Sequence, residues 1–197
     1  MKEFLHPLPP QEPRAGGPPP AVFWLTGISG AGKTTIAGCV IRLFTAFGWR
    51  AVNLDGDELR RGLNADLGFS DEDRAENVRR IAEVASLMAD AGLLVVVSCI
   101  SPKQSFRETA KAIVGAQRFI EVHIDTPLDV AESRDPKGLY RLARAGNITG
   151  FTGIHADYEV PTDPQLRIDT TLTQADPAAN VIRQYYVGTR LRSVSIL

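Results

Sequence analysis

Residues 27–35 read Gly27-Ile28-Ser29-Gly30-Ala31-Gly32-Lys33-Thr34-Thr35, "GISGAGKTT", a fit to G-x-x-x-x-G-K-[ST]. The preceding "AVFWL" (Ala21–Leu25) is wholly apolar and predicts a buried strand. The residues after Lys33 keep helical spacing to about Phe47, closed by Gly48. Between a strand and a helix, Gly27, Gly30 and Gly32 let the backbone turn tightly, so that N–H groups point inward at phosphate oxygens. Lys33 is placed to reach β- and γ-phosphates, and the Thr34 hydroxyl to ligate Mg²⁺. The helix adds its positive dipole end. Gly27 to Thr35 are therefore assigned to a nucleoside triphosphate, with Thr34 as the metal-side residue. The loop leaves open whether its phosphoryl group goes to water or to a specific acceptor.

Working outward, apolar runs alternate with helical patterns. "RAVNL" (Arg50–Leu54) predicts a second strand. Ser70 caps a long helix, with Asp71, Glu72 and Asp73 suiting its N-terminal dipole. Val78, Ile81, Ala82, Ala85 and Met88 share one face of that helix, and Gly92 ends it. "LLVVVSC" (Leu93–Cys99) lacks alternation, as expected of a central parallel strand buried on both faces. "FIEVHI" (Phe119–Ile124) and "LRID" (Leu166–Asp169) complete about five strands, and a helix begins near Pro177. The pattern is α/β with a mainly parallel sheet. Residues 1–20 hold seven of the 13 prolines and read as a flexible or extended arm, with the folded domain spanning 21–197.

Composition narrows the function classes. Of 197 residues, 44% are apolar, enough for one domain with a real core. With 22 basic against 23 acidic residues the net charge is −1, which lacks the footprint of a general nucleic-acid binder. No apolar run approaches the ~18 residues of a membrane span, and no secretory leader opens the sequence. Cys39 and Cys99 lie far apart and read as buried free thiols of a cytoplasmic protein. His6, His123 and His155 form no ligand pattern. An N-K-x-D guanine-reading element is missing, and the one D-x-x-G, Asp135–Gly138, falls too late for a switch. A transferase to a bound acceptor is favoured over a GTPase.

The acceptor side begins with "LDGDELRRGLNADLGFSDEDRAEN", residues 54–77. Asp55 and Asp57 leave a strand at the sheet's carboxyl end, beside the phosphate loop. A carboxylate there takes a proton from an attacking hydroxyl or holds a water on Mg²⁺. For Asp57 these roles outweigh simple helix capping; for Asp55 the two readings balance. Arg60, Arg74 and Asn77 have spacings that converge on an anionic substrate. Arg79 and Arg80 read equally as solvated charges or as partners of Glu76 and Glu83. On composition alone, Phe69 is a core plug rather than a base-stacking platform.

This block resembles the adenylylsulfate kinase (APS kinase) family, whose members phosphorylate the ribose 3′-hydroxyl of adenosine 5′-phosphosulfate. The similarity runs from about Phe23 to about Asp169 and also includes "IAEVASLMADAGLLVVVSCISP", "DTPLDVAESRDPKGLYRLARAG" and "GFTGI". The phosphate loop is shared by many unrelated proteins, whereas the D-G-D block, D-P-K-G-L-Y and G-F-T-G-I together are specific. The resemblance implies a P-loop kinase three-layer sandwich with a mainly parallel five-stranded sheet and a helical lid. It implies MgATP and APS as substrates, a homodimer, and possible association with an ATP sulfurylase. Its catalytic set is Lys33, Asp57 and Ser101. Its APS-binding set is Asp57, Arg60, Phe69, Arg74, Asn77, Ile100, Ser101, Lys137, Gly150 and Phe151, with Phe69 and Phe151 sandwiching the adenine. Arg134, on the lid with Arg141 and Arg144, is expected to reach ATP.

A phosphoserine intermediate at Ser101 has been described for the family. Direct in-line transfer demands less chemistry and is the favoured route. The sequence also departs from the family pattern: Ala65 replaces a frequent Lys, "GIHADYEVP" places His155, Ala156 and Asp157 in an unusual run, and a Trp-His element before the phosphate loop is replaced by the proline-rich arm. Two alternatives stand beside the kinase reading: another small-molecule kinase of similar architecture, and a nucleotide-binding regulatory domain without turnover.

Overall fold

The computed structural model describes residues 18–191; most of the predicted arm, residues 1–17, lies outside the described residues. Five strands, β1 (Ala21–Thr26), β2 (Ala51–Asp55), β3 (Leu94–Ser98), β4 (Phe119–Asp125) and β5 (Leu166–Asp169), form one sheet in the order β2-β3-β1-β4-β5. Every pairing is parallel. The helices are α1 (Lys33–Ala46), α2 (Gly56–Leu59), α3 (Asp71–Asp90), α4 (Gln104–Val114), α5 (Leu128–Arg134), α6 (Leu139–Arg144) and α7 (Ala175–Tyr186), and a π-helical turn follows at Val187–Leu191.

Why three layers form is visible in β1, whose six residues are all buried. Phe23 and Leu25 face a core shared with Ile36, Val40 and Phe44 of α1 and Ile182 and Tyr186 of α7. Val22 and Trp24 face the opposite core, with Val78, Ile81 and Ala85 of α3 and Ala110 and Val114 of α4. The unbroken apolar run of β3 is likewise fully buried. A strand covered on both faces needs no polar alternation, and each large apolar side chain removed from water contributes about 1.5–3 kcal/mol.

Chain boundaries follow local chemistry. Gly32 (φ 103°) delivers the chain into α1, and Gly92 (φ 81°) turns it out after α3. The Ser70 hydroxyl accepts from the Asp73 N–H at 3.1 Å, as the cap predicts. Helix α7 starts two residues before Pro177, which sits in the first turn, where a missing N–H is tolerated. Packing already extends to residues 18–20: they are half-buried, and the Pro19 carbonyl accepts from the Tyr186 hydroxyl.

From β1 the chain crosses to β2 on one side of the sheet, and from the adjacent β3 it crosses to β4 on the other. This is the switch point where an open parallel sheet leaves a crevice beyond its carboxyl ends. The glycine-rich loop leaves β1 there, and the Asp55 and Ser101 segments leave β2 and β3 on the same edge.

Removing the Ser70 cap should cost about 1 kcal/mol. Urea unfolding of Ser70→Ala should show a lower midpoint with an unchanged m-value; an unchanged midpoint would mean that the acidic first turn suffices.

Candidate active site

The loop is held open from below by contacts only glycine permits. Gly30 has φ 74°, and a Cβ on it would lie 2.7 Å from the Ala131 carbonyl oxygen of α5. Lys33 is 9% exposed, and its Nζ donates to the carbonyls of Gly27 and Ile28, both at 2.8 Å. Burial pulls its pKa down to about 8, partly offset by the charges of Cys99, Asp57 and Asp55. Its ammonium group is thus parked on the loop that a polyphosphate would fill.

Asp55 caps α2, one of the two roles that the sequence left balanced, and also reaches the phosphate loop. Oδ1 accepts from the Asp57 N–H at 2.9 Å, capping α2. Oδ2 accepts from the Thr34 hydroxyl at 2.7 Å and the Ser98 hydroxyl at 3.2 Å. Burial works against its charge, but the hydrogen bonds from Thr34, Asp57 and Ser98 outweigh it and hold the carboxyl below its usual pKa. A hard cation that keeps most of its waters and binds through one or two carboxylates plus phosphates fits this donor set. No group of three or more His, Cys, Asp or Glu side chains that could hold a metal ion exists among the described residues.

Two arginines shape the acceptor side. Arg60 donates to the carbonyls of Leu67 (3.2 Å) and Gly68 (2.8 Å), and its guanidinium lies 4.5 Å from the Phe69 ring centroid. Arg74 donates to the Phe69 carbonyl (3.0 Å), and across to the Gly150 carbonyl (2.7 Å) and the Thr152 hydroxyl (3.2 Å). The Phe69 ring is 63% exposed, so the core-plug reading from composition fails: the ring is mounted on cations and faces outward. Beside this bridge a cleft of about 330 Å³ opens between Asp71, Arg74, Pro102 and Lys103 on one side and Thr152, Ala156, Asp157 and Glu159 on the other.

The segment from α5 to Glu159 ties donor to acceptor. The Tyr140 hydroxyl donates to the Ser29 carbonyl of the phosphate loop at 2.8 Å, and its ring meets Phe151 edge-on, with centroids 4.9 Å apart. Burial raises the Tyr140 pKa to about 12, so it stays a donor. Lys137 forms an ion pair with Asp57. Both side chains are more than half exposed, so the pair is worth little and an incoming substrate displaces it at small cost. Arg134 donates to the Thr170 hydroxyl and carbonyl, each at 2.9 Å.

Two assigned residues sit deeper than their neighbours. Asn77 is 6% exposed and accepts from Asn64 at 3.0 Å. Ser101 is 3% exposed; its Oγ accepts from Trp24 Nε1 at 3.1 Å and donates to Thr26 Oγ1 at 2.9 Å. At φ 39°, Ser101 is held in a left-handed backbone conformation that side-chain-bearing residues rarely adopt. Such backbone strain costs of order 1–3 kcal/mol and persists only where surroundings hold it. Ile100, half-buried, lends its carbonyl to the Thr26 hydroxyl at 2.7 Å.

Around this site, Arg79 is paired with Glu76 and Glu83, Arg80 with Glu76 and Asp66, and Arg144 with Glu132. Sequence reading passed over Tyr140, Thr26 and Tyr158, whose hydroxyl lies 2.9 Å from Thr26 Oγ1. D-P-K-G-L-Y and "DYEVP" contained both tyrosines, but their partners lie 111 and 132 positions away.

Residues 19–169 match the family described as adenylylsulphate kinase. The chain belongs to that family. The adenylyl-sulfate kinase of Enterobacter sp. (strain 638) is 55% identical over 148 residues, covering 75% of this chain and 74% of that protein. The bifunctional enzyme NodQ of Azospirillum brasilense is 52% identical over 160 residues, 81% of this chain but 26% of NodQ, so the chain spans about a quarter of that relative. The solved structure of the Mycobacterium tuberculosis APS kinase CysC in complex with AMPPNP and APS superposes with a TM-score of 0.82 at 48% identity, covering 85% of this chain and 98% of that one. The adenylylsulphate kinase pattern D-G-D thus stands here as Asp55 with the phosphate loop and Asp57 with the lid.

The Lys33 pKa gives a signed prediction. Above pH 8 the empty site holds a partly neutral amine, whereas bound polyphosphate favours the ammonium form. Nucleotide binding should take up a proton and weaken as pH rises through about 8. Calorimetry of ATP binding in two buffers of different ionisation enthalpy at pH 8.5 (roughly half a unit above that midpoint) should detect the uptake in wild type and not in Lys33→Met. Equal proton balance in both would place the lysine pKa elsewhere.

Proposed function

We propose that this chain transfers the γ-phosphoryl group of MgATP to the ribose 3′-hydroxyl of adenosine 5′-phosphosulfate, giving 3′-phosphoadenylyl sulfate and ADP, as a phosphotransferase with an alcohol acceptor. The observation that carries the reading is the Arg74 bridge, which joins the Phe69 loop to Gly150–Thr152 on the same sheet edge as the phosphate loop. It makes one cradle, beside an ATP site, with an aromatic side chain on each margin. Membership of the adenylylsulphate kinase family supports the same acceptor.

In this reading Gly27–Thr35 amides and Lys33 hold the β- and γ-phosphates, and Arg134 lies toward the nucleotide. Mg²⁺, when bound, neutralises phosphate charge, with Thr34 and Asp55 as its protein-side oxygens. Phe69 and Phe151 stack on the acceptor adenine, a contact worth roughly 1–3 kcal/mol per ring. Arg60, Arg74 and Asn77 face the anionic part of the acceptor, and Ile100 with Gly150 walls the pocket. Asp57 accepts the proton of the 3′-hydroxyl as the oxygen–phosphorus bond forms and the bond to the β–γ bridging oxygen breaks. Lys137, released from Asp57, meets negative charge on the substrate. Ser101 shapes the pocket floor, since its hydroxyl is committed to Trp24 and Thr26, and the phosphoryl group passes directly between substrates.

The same reading places the enzyme in sulfate activation in the cytoplasm. Among the described residues no helix is long and apolar enough to cross a membrane. Assembly as a homodimer is part of the proposal. So is work beside the enzyme that makes APS, supported by the bifunctional NodQ relative.

ADP release should require APS and fail with adenosine 5′-monophosphate or gluconate. Turnover with gluconate would replace the acceptor, and a folded protein that binds ATP but turns over neither would be a binding module. Asp57→Asn should lose most activity. Ser101→Ala should keep a substantial fraction while losing roughly 1–3 kcal/mol of stability, because Trp24 Nε1 is left unpaired; a folded but inactive Ser101→Ala would restore the serine to the chemistry.

A further inference from the structure

Arg107 lies outside every residue set assigned so far, yet it is one of the largest fully buried side chains, 1% exposed. A buried guanidinium needs several partners, and those it has belong to the two margins of the acceptor pocket. Nη1 donates to the Ser101 carbonyl at 2.9 Å, on the strained corner after β3. Nη2 donates to the Glu159 carbonyl at 2.8 Å, where the segment carrying Phe151 returns to the sheet, and to Gln104 Oε1 at 2.7 Å. Its charge is met by Glu121 of β4, with Nε 2.8 Å from Oε1.

The Glu159 end is fastened in further ways. Its N–H donates to the Pro102 carbonyl at 2.8 Å, and its carboxylate accepts from the Gln104 N–H at 2.7 Å, capping α4, whose own N-cap Lys103 makes no side-chain capping bond. One residue earlier, the Tyr158 hydroxyl lies 2.9 Å from Thr26 Oγ1, and its ring sits 5.9 Å from the Arg107 guanidinium carbon. The run from Gly150 to Glu159 therefore hangs between two arginines, Arg74 at one end and Arg107 at the other.

We propose that Arg107 is a positioning residue for the acceptor: its fork fixes the Ser101 corner and the base of the Phe151 segment in one geometry, setting the pocket floor and the stacking ring at a fixed separation. None of the Arg107 hydrogen bonds is made to Gly27–Thr35, so the effect falls more on the acceptor than on the nucleotide. Lysine would keep the charge opposite Glu121 but cannot span two carbonyls with a planar fork.

The proposal rests on APS as the acceptor, and steady-state kinetics separates the two. With wild type turning over APS, Arg107→Lys should raise the Michaelis constant for APS about tenfold or more, the scale of losing a hydrogen bond to a charged group, with that for ATP within about twofold. Tyr158→Phe, a milder variant that unfastens the same segment from Thr26, should raise the APS constant several-fold with the same selectivity, and it carries the test if Arg107→Lys fails to fold. Equal rises for both substrates, or a lowered melting temperature with both constants unchanged, would make the cluster merely structural and overturn the proposal. Failure of wild type to use APS would instead strike the proposed function.

Discussion

Five strands running the same way put every carboxyl end on one edge of the sheet, and the rest of the molecule is arranged around that constraint. A parallel sheet must be covered on both faces, so its central strands β1 and β3 are almost wholly apolar, and chemistry is confined to the loops beyond the strand ends. Here β1 supplies the phosphate loop, β2 supplies Asp55 and Asp57, and β3 supplies Ile100 and Ser101. The edge order β2-β3-β1 brings the Asp55–Asp57 and Ile100–Ser101 segments to the same side of the phosphate loop.

What the sheet cannot supply is closure over the edge, and long-range polar contacts do this. Tyr140 reaches the loop carbonyl of Ser29, Lys137 pairs with Asp57, and Arg74 gathers Phe69 to Gly150. The exposed Lys137–Asp57 pair is weak and exchangeable. The buried contacts of Arg107 and Tyr158 sit behind the pocket and hold still. Backbone strain sits at the Ser101 corner, and three hydrogen bonds through its hydroxyl and carbonyl hold it.

Legibility in the sequence followed range of interaction. The phosphate loop, the Ser70 cap and the all-apolar β3 were readable because their causes lie within a few residues. Asp55 was undecidable because its two oxygens have different partners, one capping α2 and the other receiving the Thr34 hydroxyl from across the sheet edge. Helix α4 went unread in the sequence, although Phe106, Ala110, Ile113 and Val114 pack on one core; Arg107 is buried among them. Phe69 looked like a core residue by type, and only its two guanidinium partners turn the ring outward. The lid and its residues were legible through resemblance alone, because nothing local says that Gly150 will meet Arg74 across 76 positions.

The central claim is that the phosphoryl group moves once, from nucleotide to acceptor, past a serine whose hydroxyl is already occupied. Stereochemistry at phosphorus counts the transfers directly. ATP made chiral at the γ-phosphorus with oxygen isotopes should give 3′-phosphoadenylyl sulfate of inverted configuration, the outcome of a single in-line displacement. Retention would require two displacements and a phosphoenzyme, and would contradict the account.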